Sequence, residues 1–315
     1  MSIWYELTPA DTLFFRGAEP MEAGQLSGSA LFPPPVSVIQ GALRAAVLQQ
    51  KNISFAEYNV GHCPSSLTDV IGKSNEPAPF TVSAILLKKN GVLYIPCPAH
   101  WFVETTGAVR EKVLRGQMPA QKATETLGLH SSAGVNLPLV VTAAEATPLA
   151  GRWLRLDRLT ATDIKADDLF AISDLYDTES RTGIAIDEKR KVKDGALYSA
   201  GHLRLRPDVA LVIGIDRDLG LAKTGLLHLG GEQRVCGYAA IPTPDLPTTP
   251  AALYLSLAPL KLDASVWAKI FAAAKPVMLA GWDMHHRFHK PTTTWLPAGA
   301  VLTTNINNHC LPLPQ

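Results

Sequence analysis

The sequence lacks the signatures of several common classes of protein. Its four cysteines, Cys63, Cys97, Cys236 and Cys310, lie far apart with no C-x-x-C pair, which excludes zinc-ribbon spacing. No G-x-G pair, H-E-x-x-H or G-x-S-x-G string occurs, so the fingerprints of Rossmann folds, zinc proteases and α/β-hydrolases are missing. The aromatic-rich RNP1 signature of classical RNA-recognition motifs is absent as well.

Composition and net charge further restrict the class of protein to which the chain can belong. The chain has 315 residues, of which 47% are hydrophobic and 18% are charged, with a net charge of +1. This composition is typical of a globular protein with a sizeable core and without a global attraction to polyanions. There is no run of 18 apolar residues and no signal-peptide pattern at the N-terminus, so we expect a cytoplasmic protein that neither binds a membrane nor forms disulfides. We expect no metal site and no cofactor.

Periodicity predicts a mixture of strands and helices. Residues 2–9 are predicted to form a first strand, and residues 10–35 an ordered loop. Apolar residues at i, i+3, i+4, i+7 and i+8 predict a helix; they are Ile39, Ala42, Leu43, Ala46 and Val47. Two β-rich runs joined at Asn90-Gly91 predict a hairpin over 81–98 with a type I′ turn.

The second half of the chain is predicted to be mostly strands. A short helical run is expected at 108–114, inside an insertion over about 80–195. Two strands are expected over 203–216, and one long strand with a glycine bulge over 225–241. The proline-rich segment 242–250 is the best linker candidate. After it we expect a strand over 253–257, a helix over 265–274, and strands over 276–282 and 295–303.

The string SALFPPPVSVIQGALRAAV sets three prolines against a helix whose only charge is Arg44. Proline fixes φ, so the arm is ordered in advance. Ser37, Gly41 and Arg44 share a second helical face of small residues, and Ser37 can cap the helix. That face either receives an anion such as a phosphate or packs closely against a strand with Arg44 paired to a carboxylate.

Two further segments carry cations or paired glycines. Segment 179–198 contains Arg181 and a group of four cations, which are Lys189, Arg190, Lys191 and Lys193. This group is either a solvated turn or a phosphate contact. In LGGEQR, Gly230 and Gly231 precede Glu232 and Arg234, which favours either a structural bulge with a surface ion pair or the close approach of another chain.

Segment 283–291 concentrates three histidines, an arginine and a lysine. An exposed polar loop is the simplest interpretation. An RNA-contacting loop with His286 and Arg287 is the second, and metal or acid–base chemistry is the third.

Four segments together resemble one family in their order and spacing. They are residues 14–47, 181–198, 203–216 and 229–238, and they are similar to the 5′-tag-capping RAMP subunit of the type III-B CRISPR (Cmr) effectors. The positions that match the family's motifs are Arg16, Ser37, Gly41, Arg44, Arg181, Gly183, Gly230, Gly231, Glu232 and Arg234. We extend RNA contact to all of these except Gly183 and Glu232, and add the Lys189–Lys193 cations, His286 and Arg287.

The resemblance implies an α+β protein of two ferredoxin-like (RRM-like) domains with antiparallel sheets and long insertions. We expect the domains to cover residues 1–241 and 242–315. RAMP subunits commonly end with a glycine-rich loop, which residues 296–305 do not contain, so the second domain is expected to be incomplete.

The resemblance also implies a function without catalysis. The subunit would bind the 5′ tag of the CRISPR RNA and bridge the large polymerase-like subunit to the backbone RAMP subunit, with no small-molecule substrate. Aromatics such as Phe14, Phe15 or Trp101 would stack on unpaired bases. The alternatives are an endoribonuclease that uses His285, His286 or His289 as general base, and a scaffold that binds protein alone.

Overall fold

The structure of the protein, a computed structural model, describes most of the chain. The described residues are 2–15, 31–106, 109–118, 139–141, 145–165, 168–188, 191–283, 288–306 and 309–314. Strands dominate and helices are few, and the strand pairs described below are antiparallel. The predicted class, α+β with antiparallel sheets, is confirmed at this level.

The elements are numbered in chain order. The strands are β1 (Ile3–Pro9), β2 (Val82–Lys89), β3 (Val92–Pro96), β4 (Trp101–Thr106), β5 (Val109–Arg115), β6 (Ala146–Pro148), β7 (Arg152–Arg155), β8 (Leu169–Ala171), β9 (Tyr176–Ile186), β10 (Val192–Leu205), β11 (Val209–Ile215), β12 (Thr224–His228), β13 (Val235–Ile241), β14 (Leu253–Ser256), β15 (Leu260–Lys261), β16 (Ile270–Ala272), β17 (Val277–Asp283), β18 (Phe288–Leu296), β19 (Val301–Leu302) and β20 (Cys310–Leu313). The helices are α1 (Val36–Gln50), α2 (Phe55–Asn59), α3 (Ser65–Ile71) and α4 (Ala264–Trp267), with 3₁₀ turns at Leu156–Arg158 and Ile172–Asp174. Within the described ranges, no helix has both the length and the apolar character needed to cross a membrane.

The chain divides into two compact units, each assembled from separate stretches. The first unit contains Met1–Val82, Ser173–Thr243 and Met278–Thr292, and the second contains Ser83–Ile172, Pro244–Val277 and Thr293–Gln315. Compact units need not coincide with domains, so the predicted domain boundary between residues 241 and 242 stays a prediction.

The first unit is built around the strands β12-β13-β1-β11, in that order. β1 pairs antiparallel with β11 on one side and with β13 on the other. All seven residues of β11 are buried, because its β-branched and leucine side chains pack on both faces of the sheet. The predicted first strand and the two strands around the turn at 206–208 are confirmed.

Helix α1 confirms the periodic pattern that predicted it. Ile39, Ala42, Leu43, Ala46 and Val47 are all buried. The predicted cap is wrong, because the N-cap residue is Pro35 and no side chain caps the helix. Proline fits there because its missing N–H leaves no extra donor unsatisfied at the helix start.

Strands β9 and β10 form a long two-stranded hairpin. Near its base, Leu13 and Leu203 exchange both backbone hydrogen bonds, at 2.7 and 2.8 Å. This bridge fixes residues 11–15 beside the hairpin.

The predicted long strand over 225–241 is wrong, because β12 and β13 form a second hairpin there. The Leu229 N–H donates to the Arg234 carbonyl at 2.8 Å and closes the turn between them. Glu232 and Gln233 have φ of 55° and 51°, and two successive left-handed residues are typical of a type I′ hairpin turn. A pair of glycines inside a β pattern is compatible with either a bulge or a turn, so the sequence pattern could not distinguish one long strand from a hairpin.

The described part of the second unit contains four antiparallel groups of strands. The end of β2 pairs with β3 at Leu87, Lys88 and Lys89, and β3, β7 and β8 continue that group; β5-β4-β6 form another; β16-β19-β14-β20 form the third; β15 pairs with the end of β18. The predicted hairpin at Asn90-Gly91 is confirmed, with φ of 48° and 78° at the two turn residues. A buried cluster under α4 includes Val266, Ile270, Leu296 and Leu302.

Three predictions in this unit are wrong. Residues 109–115 form β5, which pairs with β4, rather than a helical run. The helix expected over 265–274 ends at Trp267, because residues 270–272 pair with β19 as β16. The single strand expected over 295–303 is the end of β18 followed by β19. In each case pairing with a distant strand overrides a weak local preference.

Candidate nucleic-acid interface

Three segments of the first unit meet at one place on its surface. They are residues 10–15 after β1, the base of the β9–β10 hairpin, and the turn between β12 and β13. The Ala10 N–H donates to the Val235 carbonyl at 3.0 Å, and Leu13 is paired with Leu203. These backbone bonds hold residue 11 between the hairpin base and the turn.

The centre of this place is Asp11, whose carboxylate is contacted by three arginines. Asp11 Oδ1 lies 2.8 Å from Arg204 Nη2. Asp11 Oδ2 lies 3.2 Å from Arg181 Nη2 and 3.2 Å from Arg234 Nη1. The arginines come from β9, β10 and the end of the β12–β13 turn, so three segments place their guanidinium groups around one acid.

Two further carboxylates complete the group. Glu179 pairs with Arg204 and lies 3.4 Å from Arg181. Glu232 Oε2 accepts from Arg234 Nη2 at 2.6 Å. We call this set the Asp11 cluster, and it consists of Asp11, Glu179, Arg181, Arg204, Glu232 and Arg234. Three guanidiniums face three carboxylates, so its net charge is zero.

The arginines hold the acids in their charged form. Hydrogen bonds from Arg204 and Arg181 hold the pKa of Asp11 below its ordinary value, and the hydrogen bond from Arg204 does the same for the pKa of Glu179. In return, Glu179 and Asp11 raise the pKa of Arg204 above its ordinary value. Asp11, Glu179 and Arg204 are therefore held in their charged forms at neutral pH.

A buried histidine lies beneath the cluster. His202 has no exposed surface, and its Nδ1 is hydrogen-bonded to the Thr12 hydroxyl at 3.3 Å. Its ring stacks on Phe14, with 5.0 Å between centroids, and its Nε2 lies 3.4 Å from Glu232 Oε2. Burial lowers the pKa of His202, so the ring is neutral at pH 7 and supports the cluster from below.

The two glycines of the turn make room for residues 14 and 15 of the same chain. Gly230 has φ +88°, and a Cβ there would lie 2.4 Å from the Phe14 carbonyl oxygen. The Gly231 N–H donates to that carbonyl at 2.8 Å. We predicted that these amides face RNA or a neighbouring subunit; the amide of Gly231 instead bonds to the chain's own backbone.

Comparison with known proteins identifies the family of this chain. The model of the CRISPR-associated protein (Cas_Cmr3) family matches residues 5–253. The chain belongs to the Cas_Cmr3 family. No curated protein sequence matches it. The resemblance found in the sequence is thereby confirmed.

Solved structures agree with this assignment at the level of the fold. A chain of the type III-B Cmr-beta complex bound to cognate target RNA and AMPPnP, state 1, superposes with a TM-score of 0.54 at 17% identity, covering 95% of this chain and 85% of that chain. A chain of Cmr-beta bound to cognate target RNA gives 0.53 at 18% identity, with 97% and 88% covered. This Cas_Cmr3 protein, a CRISPR-associated protein by its family, therefore has the fold of those chains.

In this Cas_Cmr3 protein, the Asp11 cluster brings together part of the predicted site. Arg181 and Arg234 belong to it, and Gly230 and Gly231 support it from the adjoining turn. Sequence reasoning missed Asp11, His202 and Arg204. The alternation of leucine and arginine over residues 203–206 places Arg204 on the same face of a strand as His202, two residues before it. No local pattern in the sequence distinguishes Asp11.

The face of α1 that carries Arg44 lies apart from the cluster. Arg44 Nε donates to the Ile71 carbonyl at 2.6 Å and Nη2 donates to the Glu76 carbonyl at 3.0 Å. Its guanidinium thus joins α1 to the end of α3, and within the described residues no carboxylate pairs with it. Ser37 and Gly41 are exposed, and a Cβ at Gly41 would meet nothing within 4 Å. Their contact with RNA stays a prediction.

The other predicted residues are only partly described. Arg16, Lys189, Arg190, His286 and Arg287 lie outside the described residues. Lys191 is exposed and its N–H donates to Asp187 Oδ1 at 2.8 Å, while Lys193 lies in β10.

The aromatic residues have different environments. Phe15 and Trp101 are buried, with 1% and 2% of their surface exposed, so neither can stack on a base. Phe14 is half-buried against His202.

Proposed function

We propose that this chain is the non-catalytic subunit of a type III-B CRISPR effector that binds the 5′ tag of the CRISPR RNA. In this proposal it also bridges the large polymerase-like subunit to the backbone RAMP subunit. The observation that carries the proposal is the convergence of three arginines on one exposed carboxylate at the base of a long hairpin. Guanidinium groups are the side chains best suited to bind phosphate oxygens in pairs.

The arrangement of strands supports two ferredoxin-like halves. In a βαββαβ fold the first strand lies between the third and the fourth. In the second unit, the order β16-β19-β14-β20 places β14 between β19 and β20, and α4 precedes β16. In the first unit, β1 lies between β11 and β13 and is followed by α1. The described residues between β19 and β20 contain no helix, which fits the expected incomplete second module.

A function without catalysis fits the chemistry of the cluster. The pKa values of Asp11 and Glu179 are lowered and the pKa of Arg204 is raised, so none of these three groups is suited to transfer a proton near pH 7. His202 is buried and stacked, away from solvent. Among the described residues, no group of three or more His, Cys, Asp or Glu side chains is arranged to hold a metal ion.

The proposal is tested by replacing Arg204 with alanine in the assembled complex. We expect the Arg204→Ala complex to retain about tenfold less CRISPR RNA, since the substitution removes a charge-assisted contact. The measurement is RNA occupancy of purified complexes, with ultraviolet cross-linking to map the bound nucleotides. The matched control is Arg206→Ala, because Arg206 is in the same segment but pairs only with Asp177 among the described residues, at 3.2 Å.

Two results would contradict the proposal. Equal RNA occupancy in the Arg204→Ala complex and the control would exclude the cluster from RNA binding. Cleavage of repeat RNA by the purified chain without metal would show that the subunit is an endoribonuclease.

A further inference from the structure

Asp11 is held between its three arginines in the way that those arginines would hold a phosphate. We infer that Asp11 is a built-in competitor of RNA: one phosphodiester of the bound strand takes the place of the Asp11 carboxylate between Arg181, Arg204 and Arg234. This inference rests on the proposed function and adds the identity of the group that the cluster exchanges.

The geometry of the contacts supports an exchange of like for like. The carboxylate presents two oxygens on one atom and a single negative charge, and so does a phosphodiester. Asp11 Oδ1 accepts from Arg204, and Asp11 Oδ2 accepts from Arg181 and Arg234. Arginine forks recognise either kind of anion with the same donors.

The side chain of Asp11 can leave while its backbone stays. Ala10 is hydrogen-bonded to Val235, and Leu13 is hydrogen-bonded to Leu203, so residues 10–13 are anchored on both sides. The Asp11 side chain itself is 46% exposed. Rotation about its side-chain bonds therefore moves the carboxylate into solvent without disturbing either strand.

An unpaired donor favours a phosphate over another carboxylate. Arg234 Nε is buried and has no hydrogen-bond partner within the described part of the chain. A buried donor without an acceptor lowers stability, and supplying an acceptor relieves this. Besides two charged oxygens like those of a carboxylate, a phosphodiester has two ester oxygens that can accept from this donor, so RNA is a better occupant than an acidic side chain of a partner protein.

The exchange also explains a neutral binding site. With Asp11 in place the cluster has no net charge, so a phosphate approaching from solvent gains little from long-range attraction. When the carboxylate is removed the cluster has one excess positive charge. Asp11 thus weakens binding to any RNA that does not occupy the cluster in the correct position.

The test compares two neutral variants of the full chain, Asp11→Asn and Asp11→Ser. The probe is a short fluorescently labelled single-stranded RNA of mixed sequence, titrated at several salt concentrations. We expect about tenfold tighter binding, which is the effect of one charge-assisted hydrogen bond. We also expect the log–log salt dependence to steepen by about 0.7, because the cluster then meets the phosphate with one more uncompensated positive charge than in the wild type.

Two controls have the same change in charge. Asp177→Asn frees Arg206 in the same hairpin, and Asp157→Asn frees Arg155 in the second unit. Neither should tighten binding by more than about twofold, because within the described residues neither acid forms an ion pair with the three arginines of the cluster. Circular dichroism establishes that each variant is folded.

The possible outcomes separate this inference from the proposed function. Unchanged or weaker binding by the Asp11 variants overturns the inference, while the proposed function survives if Arg204→Ala still loses RNA. Equal tightening by the controls overturns it as well, since total charge would then be the cause. Tighter binding to an acidic peptide but not to RNA overturns it in favour of a protein partner. If neither Asp11 variant folds, the carboxylate cannot leave its arginines, and the exchange is again excluded.

Discussion

Arg44 shows how one residue type in one pattern can serve packing or recognition. Its guanidinium bonds two carbonyls, of Ile71 and Glu76. We therefore expect Arg44→Ala to lower the free energy of unfolding by about 1.5–3 kcal/mol, the range for hydrogen bonds to a charged group. The measurements are urea unfolding of the chain and RNA occupancy of the complex.

The control for Arg44 is Arg44→Lys, which keeps the charge but cannot reproduce the two-pronged contact. It should recover only part of the lost stability. A large loss of RNA with unchanged unfolding would show instead that Arg44 contacts RNA.

Gly230 and Gly41 are a matched pair of glycines in opposite environments. Gly230→Ala places a Cβ 2.4 Å from the Phe14 oxygen at a φ of +88°, so we expect a loss of about 2 kcal/mol or more. Gly41→Ala meets no atom within 4 Å in the middle of α1, so we expect a gain of about 0.5–1 kcal/mol. Thermal unfolding of both variants measures this contrast. If Gly41→Ala stabilises the chain but prevents assembly, another molecule approaches that face of α1.

At the scale of elements, the sequence predicted those turns and helices that depend on interactions between residues close together in the chain. The Asn90-Gly91 turn and the apolar stripe of α1 each depend on residues within a short stretch of sequence, and both were predicted. The Asp11 cluster was not, because Asp11 meets its arginines across separations of 170, 193 and 223 residues. No short segment of the sequence shows that these residues meet. A family resemblance identifies only residues within the family's motifs, and Asp11 is not one of them.

The corrected β12–β13 turn makes a prediction at the same scale. Gln233 has a φ of 51°, a conformation that is unfavourable for residues with a side chain. We expect Gln233→Gly to raise the free energy of unfolding by about 0.5–1 kcal/mol. A decrease in the free energy of unfolding would contradict the turn and favour a bulged strand, because an additional glycine weakens the hydrogen bonding between strands. Urea unfolding at constant pH measures the difference.

At the scale of the whole molecule, ionised acids with lowered pKa values occur in both units. Asp11, Glu179 and Glu57 belong to the first unit, and Asp157, Asp163 and Asp263 belong to the second. Each has a folded-state pKa below its unfolded value. Their stabilisation is complete above the ordinary values of 3.8 for Asp and 4.5 for Glu, and is lost as the pH falls below them. Loss of stability that begins at higher pH must therefore have another cause.

That cause is expected to be buried histidine, above all His100 in the second unit. His100 is 6% exposed, its ring meets the edges or faces of Trp101 and Phe271, and burial lowers its pKa from 6.5 to about 4. Between these values the unfolded chain binds a proton that the folded chain does not, so stability falls as the pH is lowered from 6.5 to 4. The full effect of His100 is about 3 kcal/mol.

His100→Phe should remove this part of the acid sensitivity, because phenylalanine fills the aromatic site without binding a proton. Chemical unfolding at pH 7.5 and at pH 4.5 should give a smaller difference for the variant than for the wild type, by about 2–3 kcal/mol. Some sensitivity should persist, because burial also lowers the pKa of His202. The control is His62→Gln, at an exposed position. If His100→Phe and the control show the same pH dependence, the His100 ring accepts its proton in the folded state, and the aromatic site around it must open to water at mildly acidic pH.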